Sequence, residues 1–257
     1  MKLDEKDVRD MVRLVGEVVA VPGGHNAKKH FLMRGLCKLI NADAWVWTLS
    51  CQRDPDKPQI YVSFLNGGMT EERLAKVLQA IEHPDMVGVA AKFFNEIKGK
   101  QTHLTRHRFQ ITDKEYYEKT GAHLAWKEAD IGPTIMSLRP LDGQSSSVIA
   151  LYRSYDGEEF SDRDSRIAHI VLSEVAWLHE QGWPEDRGIT APKLSSRQRL
   201  VLNLLCLGQN RKQIASGVGI SIHTTQDYIK QVYRYFNVNS QTQLMNRFIK
   251  GDGGDEK

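Results

Sequence analysis

Basic side chains are concentrated in one short segment near the end of the chain. Between Lys193 and Lys250 there are nine Lys or Arg residues and a single acid, Asp227, which gives a formal charge of +8. The final seven residues carry −2 and the first 192 residues carry −3. Positive charge gathered in this way is the electrostatic footprint of a segment that binds a polyanion. The weakly acidic remainder of the chain is not predicted to contact a nucleic acid.

A second basic group lies in the middle of the chain, where His103 and His107 are four positions apart, next to Arg106 and Arg108. Two histidines with this spacing can bind a metal ion only if they lie on a helix and a third ligand joins them. Residues 102–111 are predicted to be extended. We therefore interpret these basic side chains as solvated.

Signatures of catalysis are missing from the sequence. It contains no local motif of a Ser/His/Asp or Cys/His catalytic site. The three cysteines, Cys37, Cys51 and Cys206, are far apart in the sequence, which indicates neither a disulfide framework nor a zinc site. We therefore predict no catalytic residues, no metal site and no cofactor, and we expect the protein not to be an enzyme.

The segment that carries the positive charge is predicted to be entirely helical. Ser195 or Ser196 caps a first helix that ends at Gly208, and Asn210 caps a second helix. Gly219 lies where the sharp turn into a third helix, from about residue 222 to 236, requires a positive φ. A fourth helix follows Ser240. Two short helices joined by a turn that contains glycine are typical of a helix-turn-helix.

This segment resembles the LuxR/FixJ-type helix-turn-helix domain of bacterial regulators. The resemblance extends without a gap over the 55 residues LSSRQRLVLNLLCLGQNRKQIASGVGISIHTTQDYIKQVYRYFNVNSQTQLMNRF. The residues that match the family pattern are Lys212-Gln213-Ile214-Ala215, Val218-Gly219-Ile220-Ser221, Thr224, Tyr233, Phe236, Val238, Ser240 and Leu244. The resemblance implies a DNA-binding transcriptional regulator that contacts double-stranded DNA.

Individual roles follow from the resemblance. It implies that the third helix enters the major groove with Gln226, Asp227 and Lys230 facing the bases. Phosphate contacts are implied for four further residues, namely Arg211, Lys212, Thr224 and Arg234. Two positions depart from the family pattern, because Thr225 replaces the usual valine and Tyr228 the usual histidine. The fourth helix resembles the dimerisation helix of the family, so we expect a homodimer that binds two half-sites.

The first 181 residues have a different pattern, which predicts an α+β domain with an antiparallel sheet. A helix pair precedes a hairpin, helices follow, and a second hairpin leads into one long helix over about residues 161–181. This order resembles that of a GAF- or PAS-like sensor domain and implies sensing of a small-molecule effector or dimerisation. We place the linker at residues 182–194, the helix-turn-helix domain at 195–250 and a flexible tail at 251–257.

Four aromatic residues on the first predicted hairpin, Trp45, Trp47, Tyr61 and Phe64, have the chemistry of a ligand pocket. Aromatic residues that alternate along a hairpin are more often part of a hydrophobic core. Two other functions stay open. The chain can be an enzyme with a regulatory DNA-binding domain, or a regulator without a ligand whose N-terminal domain is only a dimerisation scaffold.

The remaining expectations concern location. The first ten residues, MKLDEKDVRD, have no apolar run after a basic start, so they do not resemble a signal peptide. No apolar stretch is long enough to span a bilayer. We therefore expect a cytoplasmic protein with no membrane partner.

Overall fold

A computed structural model describes residues 3–51, 60–98, 100–141, 145–180, 198, 201, 202, 204, 205, 208–236 and 238–249. Within these ranges only the backbone is described for residues 51, 60–64, 71 and 246–249. The predicted linker and tail, and most of the first helix predicted after the linker, lie outside the described residues.

The chain divides into two compact units. The first comprises Met1–Trp47, Asn66–Leu141 and Ser147–Glu180, and the second comprises Thr48–Leu65, Asp142–Ser146 and Gln181–Lys257. None of the described helices is both long enough and apolar enough to cross a membrane.

One five-stranded sheet with the order β2-β1-β5-β4-β3 organises the N-terminal part of the chain. Its strands are β1 Ala44–Cys51, β2 Ile60–Gly67, β3 Leu104–His107, β4 Thr134–Pro140 and β5 Ser145–Tyr152. The helices around it are α1 Glu5–Ala20, α2 His25–Ile40, α3 Glu71–Ile81, α4 Met86–Ile97, α5 Arg108–Ile111, α6 Lys114–Glu118, α7 Gly121–Glu128, α8 Asp162–Glu174 and α9 Ala176–Glu180.

The sheet is antiparallel where its pairing is described. β3 pairs with β4 so that Leu104 lies opposite Leu138 and His107 opposite Ile135. β1 and β5 are antiparallel as well. Asp43 N, just before β1, donates to the carbonyl of Tyr152 at the end of β5, whereas Ser50 Oγ, near the end of β1, donates to the carbonyl of Ser146 near the start of β5. The predicted α+β class with an antiparallel sheet is confirmed.

Side chains alternate between the two faces of β4, so each face packs against different helices. Leu138 belongs to an apolar cluster with residues of α4, α5 and β5, namely Phe93, Ile97, Ile111 and Val148. The neighbouring Ser137 points the other way and meets Thr105, which also contacts His169 of α8. α8 packs in turn against α1 and α2. The sheet therefore has a helix layer on each side.

Local capping explains where several helices begin. Asp4 forms a capping box with Asp7 at the start of α1, and Ser161 forms one with Asp164 at the start of α8. The N-cap of α2 is Gly24. Gly24 offers no side chain to accept the free backbone N–H groups of that helix.

The single long helix predicted at residues 161–181 is wrong, because it is broken at Val175 (φ −102°, ψ 41°) into α8 and α9. The amide of Leu178 turns back to the carbonyl of Val175 at 2.8 Å. The imidazole Nε2 of His179 lies 3.0 Å from the carbonyl oxygen of Leu172, to which it can donate. A buried side chain thus supplies a hydrogen bond at the break.

The C-terminal part of the second unit is helical. Its helices with described ends are α10 Arg211–Val218, α11 Ile222–Phe236 and α12 Gln241–Ile249. Side chains from all three are fully buried or nearly so, and they include Ile214, Val232, Phe236 and Leu244. Leu202, Leu204 and Leu205, from the first predicted helix, are buried as well. The predicted all-helical C-terminal domain is confirmed for the described residues.

Candidate DNA-binding surface

The start of α10 carries two basic residues at the surface. Asn210 Oδ1 accepts hydrogen bonds from the backbone N–H groups of Lys212 and Gln213, and the Gln213 side chain accepts from the N–H of Asn210. This capping box is the cap that the sequence predicts. It fixes the first turn, where Arg211 and Lys212 are both exposed. The positive end of the helix dipole adds to their charge, so this turn favours an anion.

The turn between α10 and α11 depends on Gly219. This residue ends α10 in the left-handed conformation, with φ +68° and ψ +38°, as predicted. Ser221 then caps α11, because its Oγ accepts from the backbone N–H of Thr224 at 3.0 Å and lies 2.8 Å from Thr224 Oγ1. Thr224 is therefore placed at the first turn of α11 with its hydroxyl engaged within the chain.

The inner face of α11 is packed into the domain. Thr225, Val232 and Phe236 are each 0% exposed. The hydroxyl of Thr225 donates to the carbonyl of Ser221 at 3.0 Å, so threonine satisfies its polar group locally where the LuxR/FixJ pattern has valine. The departure at position 225 is therefore accommodated without changing the fold.

The outer face of α11 presents a polar stripe. Asp227, Lys230 and Arg234 follow one another at helical spacing and lie on the side opposite the buried residues. Lys230 and Arg234 are exposed, and Asp227 is half-buried. A helix with this face outward has the dimensions and the donors needed to contact base edges and phosphates in a major groove. Of the residues that the resemblance assigns to base contacts, Asp227 and Lys230 lie on this face, together with Arg234, which it assigns to a phosphate.

Two contacts affect the predicted base-reading residues. Arg211 Nη1 donates to Gln226 Oε1 at 3.1 Å, which joins the first turns of α10 and α11. A glutamine that contacts adenine uses both its oxygen and its amide group, so Gln226 must release Arg211 before it can do so. His223 Nε2 lies 3.9 Å from Asp227 Oδ2. His223 is not among the predicted residues, although its position four residues before Asp227 on a helix is a usable signal.

The aromatic residues predicted on the first hairpin are only partly described. Trp45 and Trp47 are 2% and 0% exposed. Trp47 Nε1 donates to Ser147 Oγ at 2.8 Å, and the Trp45 ring packs edge-on against His30 with centroids 5.1 Å apart. The side chains of Tyr61 and Phe64 lie outside the described residues. Ligand binding by this group stays a prediction.

The interpretation of the central basic group as solvated is wrong for His103 and Arg108. His103 Nε2 lies 2.6 Å from Ser137 Oγ, and its ring packs edge-on against those of His169 and His179. Burial lowers the pKa of His103 to about 3, so this ring is neutral. The residues enter the interior because β3 is the edge strand that α8 covers, a tertiary contact that local sequence does not encode.

Among the described residues, no group of three His, Cys, Asp or Glu side chains is arranged to hold a metal ion.

The two arginines of the central basic group are also withdrawn from solvent. Arg108 is only 7% exposed. Its neighbour Arg106 is half-buried and pairs with Glu96 of α4.

Residues 192–248 match the family of bacterial regulatory proteins called the luxR family. This segment is a LuxR-family helix-turn-helix domain. The LuxR-family match covers the three helices described above and the residues of the polar stripe, but it leaves the N-terminal part of the chain unassigned. Comparison with curated proteins finds no match.

Three solved structures are similar to the chain at low identity. Escherichia coli SdiA is 15% identical, with 91% of this chain and 93% of that chain covered and a TM-score of 0.45. The VqsR LBD domain from Pseudomonas aeruginosa is 13% identical, with 69% and 95% covered and a TM-score of 0.45. A GAF domain/HD domain protein from Geobacter sulfurreducens is 17% identical, with 64% and 90% covered and a TM-score of 0.37.

Proposed function

We propose that the protein is a dimeric, sequence-specific transcriptional regulator whose N-terminal α+β domain senses a small molecule. The observation that carries the proposal is the outer face of α11, where the exposed Lys230 and Arg234 and the half-buried Asp227 lie opposite a buried inner face. The LuxR-family match supports it, because it covers this helix and the turn before it. The formal charge of +8 between Lys193 and Lys250 supports it as well.

The proposed contacts divide into two kinds. Arg211, Lys212 and Arg234 neutralise phosphates, and the hydroxyl of Thr224 donates to another phosphate oxygen, which together fix the orientation of the domain. Lys230 and Gln226 contact base edges in the major groove. Asp227 is unfavourable near phosphates and accepts from the amino group of a cytosine, so it adds selectivity at the expense of affinity.

Dimerisation completes the proposed mechanism. Two copies, joined through α12 and their N-terminal domains, place two recognition helices in successive major grooves about one helical turn apart. A small molecule that binds the N-terminal domain changes the population of dimers with this spacing, provided that it binds one state more tightly than the other. Such a regulator works in the compartment that contains the DNA, the cytoplasm of a bacterium.

The test is a selection of genomic fragments by the purified full-length protein at moderate salt, followed by sequencing of the bound DNA. The proposal predicts enrichment of a two-fold symmetric site with half-sites about one helical turn apart. The Lys230→Ala protein should enrich the site much less, because it lacks a proposed base contact. Lys38→Ala, which removes the same charge from an exposed position of α2, should enrich it as the wild type does.

Two results would contradict the proposal. Recovery of fragments without any common sequence, by binding that disappears as salt rises, would mean that the domain binds phosphates only. Enrichment of single, unpaired half-sites would contradict the dimer.

A further inference from the structure

Arg108 is a buried cation at the first residue of α5. Its side chain is enclosed between the sheet and the helices that follow β3, and the residue is 7% exposed. The Nη2 atom donates to Thr134 Oγ1 at 2.6 Å and to the carbonyl of Gly132 at 3.2 Å. Both acceptors are uncharged, so these hydrogen bonds orient the guanidinium without neutralising it.

Aromatic rings surround this guanidinium. Its central carbon lies 4.3 Å from the ring centroid of Tyr117 and 5.7 Å from that of Trp126. The Trp126 ring in turn lies 5.7 Å from the ring of Tyr152. Cation–π attraction to these faces replaces part of the hydration that Arg108 has lost. Tyr117, Trp126 and Tyr152 are all at most 5% exposed, so the surroundings are dry as well as aromatic.

Arg153 shows how the same fold neutralises a buried arginine. Arg153 is also 7% exposed. It lies 3.3 Å from the carboxylate of Asp164 and donates to the carbonyl oxygens of Ile40, Asn41, Glu158 and Glu159. Every side of its guanidinium is therefore occupied.

Arg108 lacks these partners. Within the described part of the chain its Nε is buried without a hydrogen-bond partner, and it forms no ion pair with any Asp or Glu. The largest electrostatic effects on it come from the phenols of Tyr117 and Tyr152, and the acid that follows them, Glu159, is exposed to solvent. Because buried charges in proteins are normally paired, an uncompensated guanidinium with a free donor calls for an anion.

We propose that Arg108 anchors a binding site for the carboxylate of a small aromatic acid. One carboxylate oxygen accepts from Nε and the second from Nη2, the nitrogen on the same edge of the guanidinium, which then gives up its 3.2 Å hydrogen bond to the carbonyl of Gly132. This is the side-on fork that arginine offers to carboxylates. The rings of Tyr117, Trp126 and Tyr152 suit a flat apolar body next to that carboxylate. A carboxylate fits better than a phosphate, because a dry site with one cation compensates a single negative charge and not two.

The proposal names the ligand class for the sensing domain, and its link to gene regulation rests on the function proposed above. Ligand binding and DNA binding can be measured separately, so each idea can fail without the other.

The first experiment measures the thermal unfolding of the full-length protein with benzoate or indole-3-acetate, each against its uncharged amide at equal ionic strength. The expected result is a rise in Tm with the acids that the amides do not give, because only a ligand bound to the folded state stabilises it. A titration followed by tryptophan fluorescence gives the affinity, and Trp126→Phe shows which part of the signal arises at the site.

Variants at Arg108, with a variant at the half-buried Arg139 as the control, locate the site. Arg108→Met should bind both acids about 10- to 100-fold more weakly, as expected for the loss of hydrogen bonds to a charged group. Arg108→Lys keeps the charge but not the fork, and it should bind them with intermediate affinity. Arg139→Met is the matched control, because Arg139 lies on the same sheet and pairs with Glu180, and it should bind the acids as the wild type does.

Four results test the proposal. Equal effects of acids and amides on wild-type Tm would overturn the proposal, and so would unchanged acid affinity in a folded Arg108→Met protein. Circular dichroism in the near ultraviolet establishes whether this variant is folded. If it is not, a lower acid affinity of Arg108→Lys than of the wild type supports the proposal, and an unchanged affinity overturns it. If the acids bind in an Arg108-dependent manner but do not change the affinity for DNA, the binding site is supported and only the sensing role is contradicted.

Discussion

The two parts of the chain use basic side chains in opposite ways. The N-terminal domain buries Arg108 and Arg153 at 7% exposure, whereas the C-terminal domain leaves Arg211, Lys230 and Arg234 in solvent. A buried cation must find its compensation within the folded protein or in a bound ligand. An exposed row of cations costs little to maintain and is available to a polyanion. The positions of the charges therefore separate a surface for DNA from an interior that holds the fold or a small anion.

The largest expected effect concerns the two buried arginines. Arg153→Met removes one of the two arginines paired with Asp164, which then lies buried with the half-buried Arg163 and the backbone N–H of Ser161 as its partners. We expect the free energy of unfolding to fall by about 3–5 kcal/mol, as when one member of a buried ion pair is removed. Arg108→Met leaves only a hydroxyl and a carbonyl without a donor and should cost about 1 kcal/mol in the absence of ligand. Urea unfolding of both variants measures the difference, and equal losses would contradict the distinction between them.

Acid should destabilise the N-terminal domain more than the C-terminal domain. The pKa of His103 is lowered by burial to about 3, and burial also lowers the pKa values of His169 and His179. The unfolded chain binds a proton at His103 below about pH 6.5, and the folded chain does so only near pH 3, so stability is present above pH 6.5 and is lost as the pH falls.

Between pH 6.5 and pH 5, protonation of His103 in the unfolded chain should lower the free energy of unfolding by about 2 kcal/mol. Urea unfolding at the two pH values, monitored by near-ultraviolet signals of the N-terminal tryptophans, measures the loss. His103→Gln, which cannot titrate, should reduce the pH dependence. A pH dependence identical to that of the wild type would show that His103 is accessible to protons in the folded state.

Removal of a positive charge from the outer face of α11 should weaken DNA binding and leave the stability of the fold unchanged. Lys230→Ala should weaken binding to the selected site by about 1–3 kcal/mol if Lys230 reaches a base. Lys38→Ala should leave both affinity and stability as they are, since Lys38 is exposed on α2. Fluorescence anisotropy with a labelled duplex measures the affinity. An unchanged value for Lys230→Ala would show that this face of α11 is not the one in the groove.

The smallest expected effect is on the free energy of unfolding, when glycine is replaced by alanine at one position in each domain. Gly219 has φ +68° and Gly16 is an interior residue of α1, and neither has any atom within 4 Å of an added Cβ. Gly219→Ala should destabilise by about 1 kcal/mol, because alanine is strained in the left-handed region. Gly16→Ala should stabilise by about 0.5–1 kcal/mol, because alanine favours the helix. Thermal unfolding gives both signs, and a stabilised Gly219→Ala protein would contradict the turn geometry.

The same contrast explains how much of the structure could be predicted from the sequence. In the C-terminal domain the controlling interactions are local, so the cap at Asn210 and the turn at Gly219 were predicted correctly. These residues act on neighbours within four positions, and a single sequence contains that information.

The N-terminal domain depends on contacts that are distant in sequence. The α+β class and the two hairpins were predicted, because hydrophobic alternation and turns are local signals. The edge strand β3, the helix α7 and the break at Val175 were not. The burial of His103 and Arg108 was missed for the same reason, since it results from the packing of helices that come from other parts of the chain. The candidate anion site at Arg108 could therefore be found only from the structure.

The most direct test of the account is the affinity of the full-length protein for its selected duplex and for the same duplex with both half-sites scrambled, over a series of salt concentrations. If the LuxR-family domain selects a sequence as proposed, the selected duplex binds at least about a thousandfold more tightly. Both affinities then fall as salt rises, because counterions compete for the phosphates. Equal affinity for the two duplexes at every salt concentration would contradict the central claim.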